Sequence, residues 1–475
     1  MTQRPARRDP TPQPSGVAPA DPVEERLPPW QMLVCGLQHV LVIYAGVISV
    51  PLIFGAALGL DPVRLILLVN ASILTSGVAT LIQTLGVGPF GARLPLIQAS
   101  SFIALPPMIM IARDYDLPTA YGAVIGAGLA TCVLAPFASR LTRFFPPVVI
   151  GSVITVVGLS LMPAAANWLG GGRPGDPGFG APAHLLLGFT TLALTLLITA
   201  RASGTGRTLA ILLGLAGGTA MGVLTGQADF GAVRHIAWVA LPPVLPFGRP
   251  AFHIAPILIM TMAMMVILVE TTGNCLAVSL LAGRAAGRDV LTRTYAADGL
   301  STLLGGLFGG TPYNAFAQNT GLIALTGVRS RFAVATAGGL MVAMGLFPRL
   351  GATIACLPRP VLGGSAILMF GMTAMAGIQD LARVRLGGGS GGGAGALVPA
   401  VAIGAGILPM ACPTLFAQLP GPLRIMTGSG VFLAAFSAVT LNLLLSSGTA
   451  AEVEAEAEAA PDGGDDPAAL PTPLP

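Results

Sequence analysis

Between Trp30 and Ser446 the chain alternates long apolar stretches with short polar connectors. The apolar segments fall near 31–54, 64–86, 94–112, 119–139, 147–168, 183–200, 207–226, 253–275, 293–308, 314–327, 332–348, 360–378, 396–412 and 427–446. A helix needs about 20 apolar residues to cross a bilayer, so the pattern predicts fourteen transmembrane segments. The tenth is too short for an ordinary crossing. It follows Gly305-Gly306 and Gly309-Gly310-Thr311-Pro312, a run expected to interrupt a helix. Irregular backbone persists at membrane depth where it is buried in protein or lines a cavity, which marks 309–320 as a candidate site.

Composition agrees with this reading. Of 475 residues, 53% are hydrophobic and 9% charged, with mean hydropathy +0.80. Ordinary globular domains carry about 25% charge. Soluble enzymes, secreted disulfide scaffolds and nucleic-acid binders are excluded; the chain reads as an all-α polytopic membrane protein. All 24 basic residues are Arg. With fourteen spans, sixteen of them fall on the side that holds both termini and eight on the other, which predicts cytoplasmic termini and an inner-membrane location. Residues 1–29 and 447–475 read as disordered tails, the second acidic, and Gly387–Gly395 as a flexible linker. The five cysteines read as small buried hydrophobes.

The two halves resemble each other. Gln98–Leu105 aligns with Gln318–Leu325, and Pro147–Ile154 with Pro360–Ile367, pairing segment 3 with 10 and 5 with 12. A seven-segment repeat reverses direction across the membrane, so 30–226 and 253–446 are expected to be inverted repeats, a transporter plan with its site near the midplane.

Intramembrane carboxylates are costly and mark function by default. Two of them interrupt apolar segments, Glu270 and Asp298, although a purely structural network between helices would also retain them. Gln318 and Asn319 begin the short tenth segment. A primary amide offers a donor and an acceptor side by side, matching the N–H/C=O edge of a lactam or nucleobase; capping of the broken helix is the alternative. Amides at the start of each half-helix would point at ligand carbonyls. His39 is either a hydrogen-bonded strut or a proton carrier. Phe102 is either packing or a ring that stacks on a planar ligand. Metal-ligand spacing, a nucleophile set and a phosphate loop are absent, so neither an enzyme nor a bound cofactor is expected.

The run Gln318-Asn-Thr-Gly-Leu-Ile-Ala-Leu-Thr326-Gly327 resembles the signature of the nucleobase–ascorbate transporter family. Gln38-His39, Ser100-Ser101-Phe102, Glu270-Thr-Thr-Gly273 and Asp298 fall where that family has equivalents. The resemblance implies a core domain of segments 1–4 and 8–11 (about 30–139 and 253–348) and a gate domain of segments 5–7 and 12–14 (about 147–226 and 360–446). It further implies short strands in segments 3 and 10. By matching position, Glu270 and Gln318 would hold a base, with Ser101 and Phe102 beside it and the backbone of Phe316 and Ala317 completing the contacts. Asp298, Asn319 and His39 would support the site and its coupling. Asn274 stands where many relatives have Asp or His, and an amide does not titrate. Gln at 318 resembles the purine branch. The expected function is therefore proton-coupled import of xanthine or urate by a homodimer moving its core like an elevator, with sodium the less favoured ion. A uracil carrier is the alternative within the family. An anion exchanger or channel with the same seven-plus-seven plan is the alternative outside it.

Overall fold

The computed structural model describes residues 21–141, 146–203, 209–228, 230–383 and 392–459. The first half runs α1 (Pro29–Leu58), α2 (Pro62–Leu85), β1 (Gln98–Ser100), α3 (Leu105–Asp114), α4 (Leu117–Leu141), α5 (Pro147–Ser160), α6 (Met162–Leu169), α7 (Pro182–Arg201) and α8 (Ala210–Leu224). After a 3-10 turn at Gly231–His235 come α9 (Ile254–Ala282), α10 (Arg288–Phe308), β2 (Tyr313–Ala315), α11 (Ala317–Thr326), α12 (Arg331–Gly345), α13 (Pro348–Ala355), α14 (Arg359–Arg383), α15 (Gly392–Ala411), α16 (Gly421–Gly428) and α17 (Gly430–Ala459). Two helices, then a strand and a short helix, then further helices: the same order occurs twice. This is the expected mostly helical membrane architecture, with short strands at Gln98–Ser100 and Tyr313–Ala315.

Local chemistry sets the boundaries. Proline in the first turn opens α1, α2, α5 and α7, where its missing N–H costs no helical bond. Left-handed Gly59, Gly283, Gly309 and Gly327 close α1, α9, α10 and α11. Gly305 and Gly306, expected to break the chain, instead lie inside α10. A methyl at Gly305 would come within 2.5 Å of the Tyr313 ring, so this glycine makes room for β2.

Among the described residues, seven helices are long and apolar enough to cross a membrane, and the α12–α13 pair, bent by 81°, would make an eighth. The two strands pair antiparallel, with Gln98 opposite Ala315, Ala99 opposite Asn314 and Ser100 opposite Tyr313. This register corrects one part of the sequence alignment. Gln98 lies in a strand and Gln318 in the helix after its partner strand, so the two glutamines are not structural equivalents. The element starts 98 and 313, or 105 and 317, correspond instead.

Two units emerge from the packing. One comprises Met1–Ser139 with Asn167–Ser365, and the other Arg140–Ala166 with Ala366–Pro475. In the first, α2 crosses α12 at backbone distance, where a methyl on Gly77 would lie 2.6 Å from the Gly338 carbonyl oxygen. The first unit also holds α7 and α8, segments 6 and 7 of the sequence reading. In the second, α5 packs on α14, where a methyl on Gly377 would lie 2.4 Å from Thr155 N. Small residues allow this approach where apolar lipid provides little drive for helices to associate.

Three further expectations change. The acidic segment 452–458 continues α17 to Ala459, as its run of strong helix formers, Ala and Glu, favours. Residues 21–28 pack on the helices instead of forming part of a tail, and Val23 is fully buried. Cys275 is buried, but Cys412 is exposed and Cys35, Cys132 and Cys356 are half-buried. A thiol tolerates an apolar surface as readily as a core. Residues 1–20 and 460–475, and most of the Gly-rich linker at 384–391, lie outside the described residues.

Candidate substrate site

The two-stranded sheet acts as a partition, because side chains alternate between its faces. Asn314 presents to one side. Its Nδ2 donates to Glu270 Oε2 at 2.6 Å, which turns that half-buried carboxylate toward β2. The Asn314 Oδ1 atom is buried without a hydrogen-bond partner, an acceptor beside a carboxylate. Gln98, Ser100 and Tyr313 project to the other side. There Gln98 Nε2 donates to Asp298 Oδ1 at 2.9 Å, and Tyr313 Oη meets the hydroxyl of Thr75.

Asp298 is fully buried in the middle of α10. Its second oxygen accepts from Thr271 Oγ1 at 2.6 Å, and Gln83 Nε2 lies at 3.4 Å from the first. A buried carboxylate with several donors ties its elements together, since removing one partner leaves an uncompensated polar group. Asp298 thus joins α2, β1, α9 and α10 behind the sheet, while Glu270 stands in front of it. The adjacent positions 270 and 271 of α9 serve opposite faces, as a turn of about 100° per residue permits.

Helix α9 grips β2 again one turn later. Asn274 Nδ2 donates to the Ala315 carbonyl at 2.7 Å. Across the short helix, Asn319 Nδ2 donates to the Pro95 carbonyl at 2.6 Å, and the buried His39 ring of α1 sits beside the same amide. Asn319, His39 and Asn274 therefore brace the site elements. The Phe316 N–H donates to the Ile97 carbonyl at 3.1 Å, and its ring packs on Gly46 of α1, where a methyl would approach to 2.6 Å. Ser101 continues the strand pairing through its N–H to the Pro312 carbonyl at 2.8 Å. Its hydroxyl accepts from Ile103 N–H, which leaves the hydroxyl proton for other contacts. Phe102 is half-buried in the turn between β1 and α3. The backbone of Ala317 and Gln318 forms the first turn of α11; the side chains of both, including the amide expected to read the base, lie outside the described residues.

The half-helices are not alike at their starts. Ala317 and Gln318 open α11 with backbone N–H groups that no preceding helical turn accepts. In α3 the Leu105 N–H donates to the Phe102 carbonyl, and Pro106 and Pro107 have none. The expectation of amides from both breaks therefore fails at α3. A carboxylate, a neighbouring amide acceptor and a helix N-terminus together suit a flat neutral ligand bearing ring N–H and carbonyl groups.

Sequence reasoning missed Asn314, Gln98 as a partner of Asp298, and Gln83. The two glutamines carried a signal, because each is an uncharged polar residue inside or beside an apolar segment. Asn314 gave none, standing in a three-residue strand between Pro312 and Phe316.

Residues 30–415 match the sequence pattern of the Permease family, Xan_ur_permease. The chain belongs to this family. Among its relatives, the uric acid permease PucJ of Bacillus subtilis is 39% identical over 88% of this chain and 93% of its own length. The xanthine permease of the same organism is 38% identical over 90% and 96%, and the uric acid transporter UacT of Escherichia coli 36% over 90% and 88%. The fold also matches solved structures. The transmembrane domain of the cyanobacterial bicarbonate transporter BicA superimposes with TM-score 0.54 at 17% identity, covering 88% of this chain and 98% of that one. SLC26A9 gives 0.58 at 12% identity, over 87% and 64%. This permease is a multi-pass membrane protein and not an enzyme.

Proposed function

We propose that this permease imports a purine base, xanthine or urate, together with a proton across the inner membrane, with both termini in the cytoplasm. The observation that carries the reading is the Glu270 carboxylate held by Asn314 three residues before the α11 N-terminus. A carboxylate there accepts from a ring N–H, and the α11 amides donate to a ring carbonyl. Gln318 adds a paired donor and acceptor, with Phe102 stacking on the ring. The relatives named as uric acid and xanthine permeases favour a purine over uracil. An acid at the site weighs against an anion such as bicarbonate, the cargo of BicA, whose likeness to this chain concerns the fold.

Proton coupling follows from the cost of burying charge. A proton on Glu270, or on the network through Asp298, neutralises the loaded site and lowers the cost of moving it through the bilayer. All the site residues fall within the unit 1–139 plus 167–365, which suits elevator movement of a body that carries its site whole. A homodimer would supply the stationary frame. Uptake of labelled xanthine, urate, hypoxanthine and uracil into cells lacking their own carriers tests the reading. Xanthine or urate uptake that collapses when the proton gradient is dissipated is expected; transport of uracil alone, or gradient-independent uptake, would overturn it.

A further inference from the structure

The three elements that build the site all end at one place. Helix α9 ends at Ala282, two residues before Arg284. The lead-in to β1 runs from Arg93 through Pro95, whose carbonyl holds Asn319. Helix α11 ends at Thr326, and α12 begins at Arg331. Residues 21–28 bind beside the first and the third, and reach the second through Arg284.

The contacts are dense for so short a stretch. Arg284 pairs with Asp21 and reaches Glu24 at 3.3 Å, while its Nη1 donates to the Arg93 carbonyl at 3.4 Å. Arg331 donates Nε and Nη2 to Glu24 Oε2 at 2.9 and 2.8 Å, and Nη1 to the last carbonyls of α2, Thr84 and Leu85. The Arg331 N–H donates to the Val23 carbonyl at 3.0 Å, and Ser330 Oγ to the Glu25 carbonyl at 2.5 Å. Val23 of this stretch is fully buried, and Arg26 lies over the Phe332 ring at 5.0 Å. Exposed ion pairs taken singly contribute little. Here they are joined by backbone hydrogen bonds and a buried side chain, and they converge on the loop that fixes where α11 ends.

We propose that residues 21–28 form a fixed strap of the site-bearing unit, and that Asp21 and Glu24 are positioning residues. Through Arg284 and Arg331 they set the spacing between α9 and α11, and so the affinity for the transported base. The strap stays docked through the cycle. The proposal goes beyond the transport reading, using it only for the probe.

The test compares uptake kinetics of labelled xanthine, or urate if that is the base transported, with hydrogen exchange on the purified full chain. The combined variant Asp21→Asn with Glu24→Gln is expected to raise KM about tenfold while Vmax per transporter at the membrane stays within about twofold. Glu24→Asp should recover most of the lost affinity, and adding Arg284→Gln to the combined variant should change little, because its carboxylate partners are already gone and only the long contact with the Arg93 carbonyl remains. Exchange at the amides of 328–333 should rise in the combined variant and stay unchanged in Glu24→Asp. An unchanged KM at normal membrane abundance, or unchanged exchange at 328–333, would overturn the proposal. So would a fall in Vmax that simply tracks abundance. A wild-type chain that moves no purine would refute the transport reading and leave the exchange experiment to decide the strap.

Discussion

The segments β1–α3 and β2–α11 are the same backbone device, a three-residue strand feeding a ten-residue helix, yet they do different work. In the first, Gln98 turns behind the sheet to Asp298, and the helix starts with two prolines that offer no N–H. In the second, Asn314 turns forward to Glu270, and the helix starts with residues that carry backbone N–H groups. One copy binds the buried Asp298 and, in the reading proposed above, the other reads the base. An internal repeat therefore fixes where the backbone breaks, while a side chain at each break, Gln98 or Asn314, decides which carboxylate that copy binds.

The sharpest way to break this contrast is to remove the carboxylate of the reading copy. Glu270→Gln keeps size and loses charge; uptake of the transported base should fall about a hundredfold or more at normal membrane abundance, because the acceptor for the ring N–H is lost. Asn314→Ala comes next. Losing a hydrogen bond to a charged group costs about 1.5–3 kcal/mol, so KM should rise by roughly ten- to a hundredfold with little change in melting temperature. On the anchoring side the balance reverses. Gln98→Ala strips Asp298 of a donor inside the protein and should lower thermal stability by about 1–3 kcal/mol, with a smaller effect on KM than Asn314→Ala. If Gln98→Ala impairs KM more than Asn314→Ala at equal abundance, the two roles are assigned the wrong way round.

Much of this was legible in the sequence, for identifiable reasons. Helix positions follow from apolar runs, because hydrocarbon requires every backbone group to be satisfied within the segment. Glu270 and Asp298 stood out as charges in apolar runs. The division of labour between them did not, because adjacent positions 270 and 271 face opposite sides of a sheet that only the strand register reveals. Asn314 was illegible for a related reason: three residues carry too short an alternation to show which one points forward. The strap was hidden by composition. Pro28, Pro29 and the preceding charges resemble a tail, and only the partners Arg284 and Arg331, more than 250 residues away, order them.

A smaller effect sharpens the comparison from the α3 side. Replacing both prolines, Pro106→Ala with Pro107→Ala, restores two N–H groups to the anchoring helix. Substrate preference should shift by less than about threefold, since the proposed reading assigns recognition to Glu270 and the α11 copy. The smallest effect concerns pH at the strap. The hydrogen bond from Arg284 holds the Asp21 carboxyl below its usual range, and that from Arg331 does the same for Glu24. Carboxyls held low contribute above their ordinary value and lose that contribution only as pH falls through the lowered one. Exchange at 328–333 should therefore not change between pH 8 and pH 5, apart from the intrinsic rate, and pH-dependent uptake in that window should survive Asp21→Asn with Glu24→Gln.

Equilibrium binding of labelled xanthine and urate to the purified permease reaches the central claim without the complications of flux. The account predicts saturable binding that purines compete for and uracil does not, lost in Glu270→Gln and weakened at least tenfold in Asn314→Ala. Undiminished binding in both variants would contradict it.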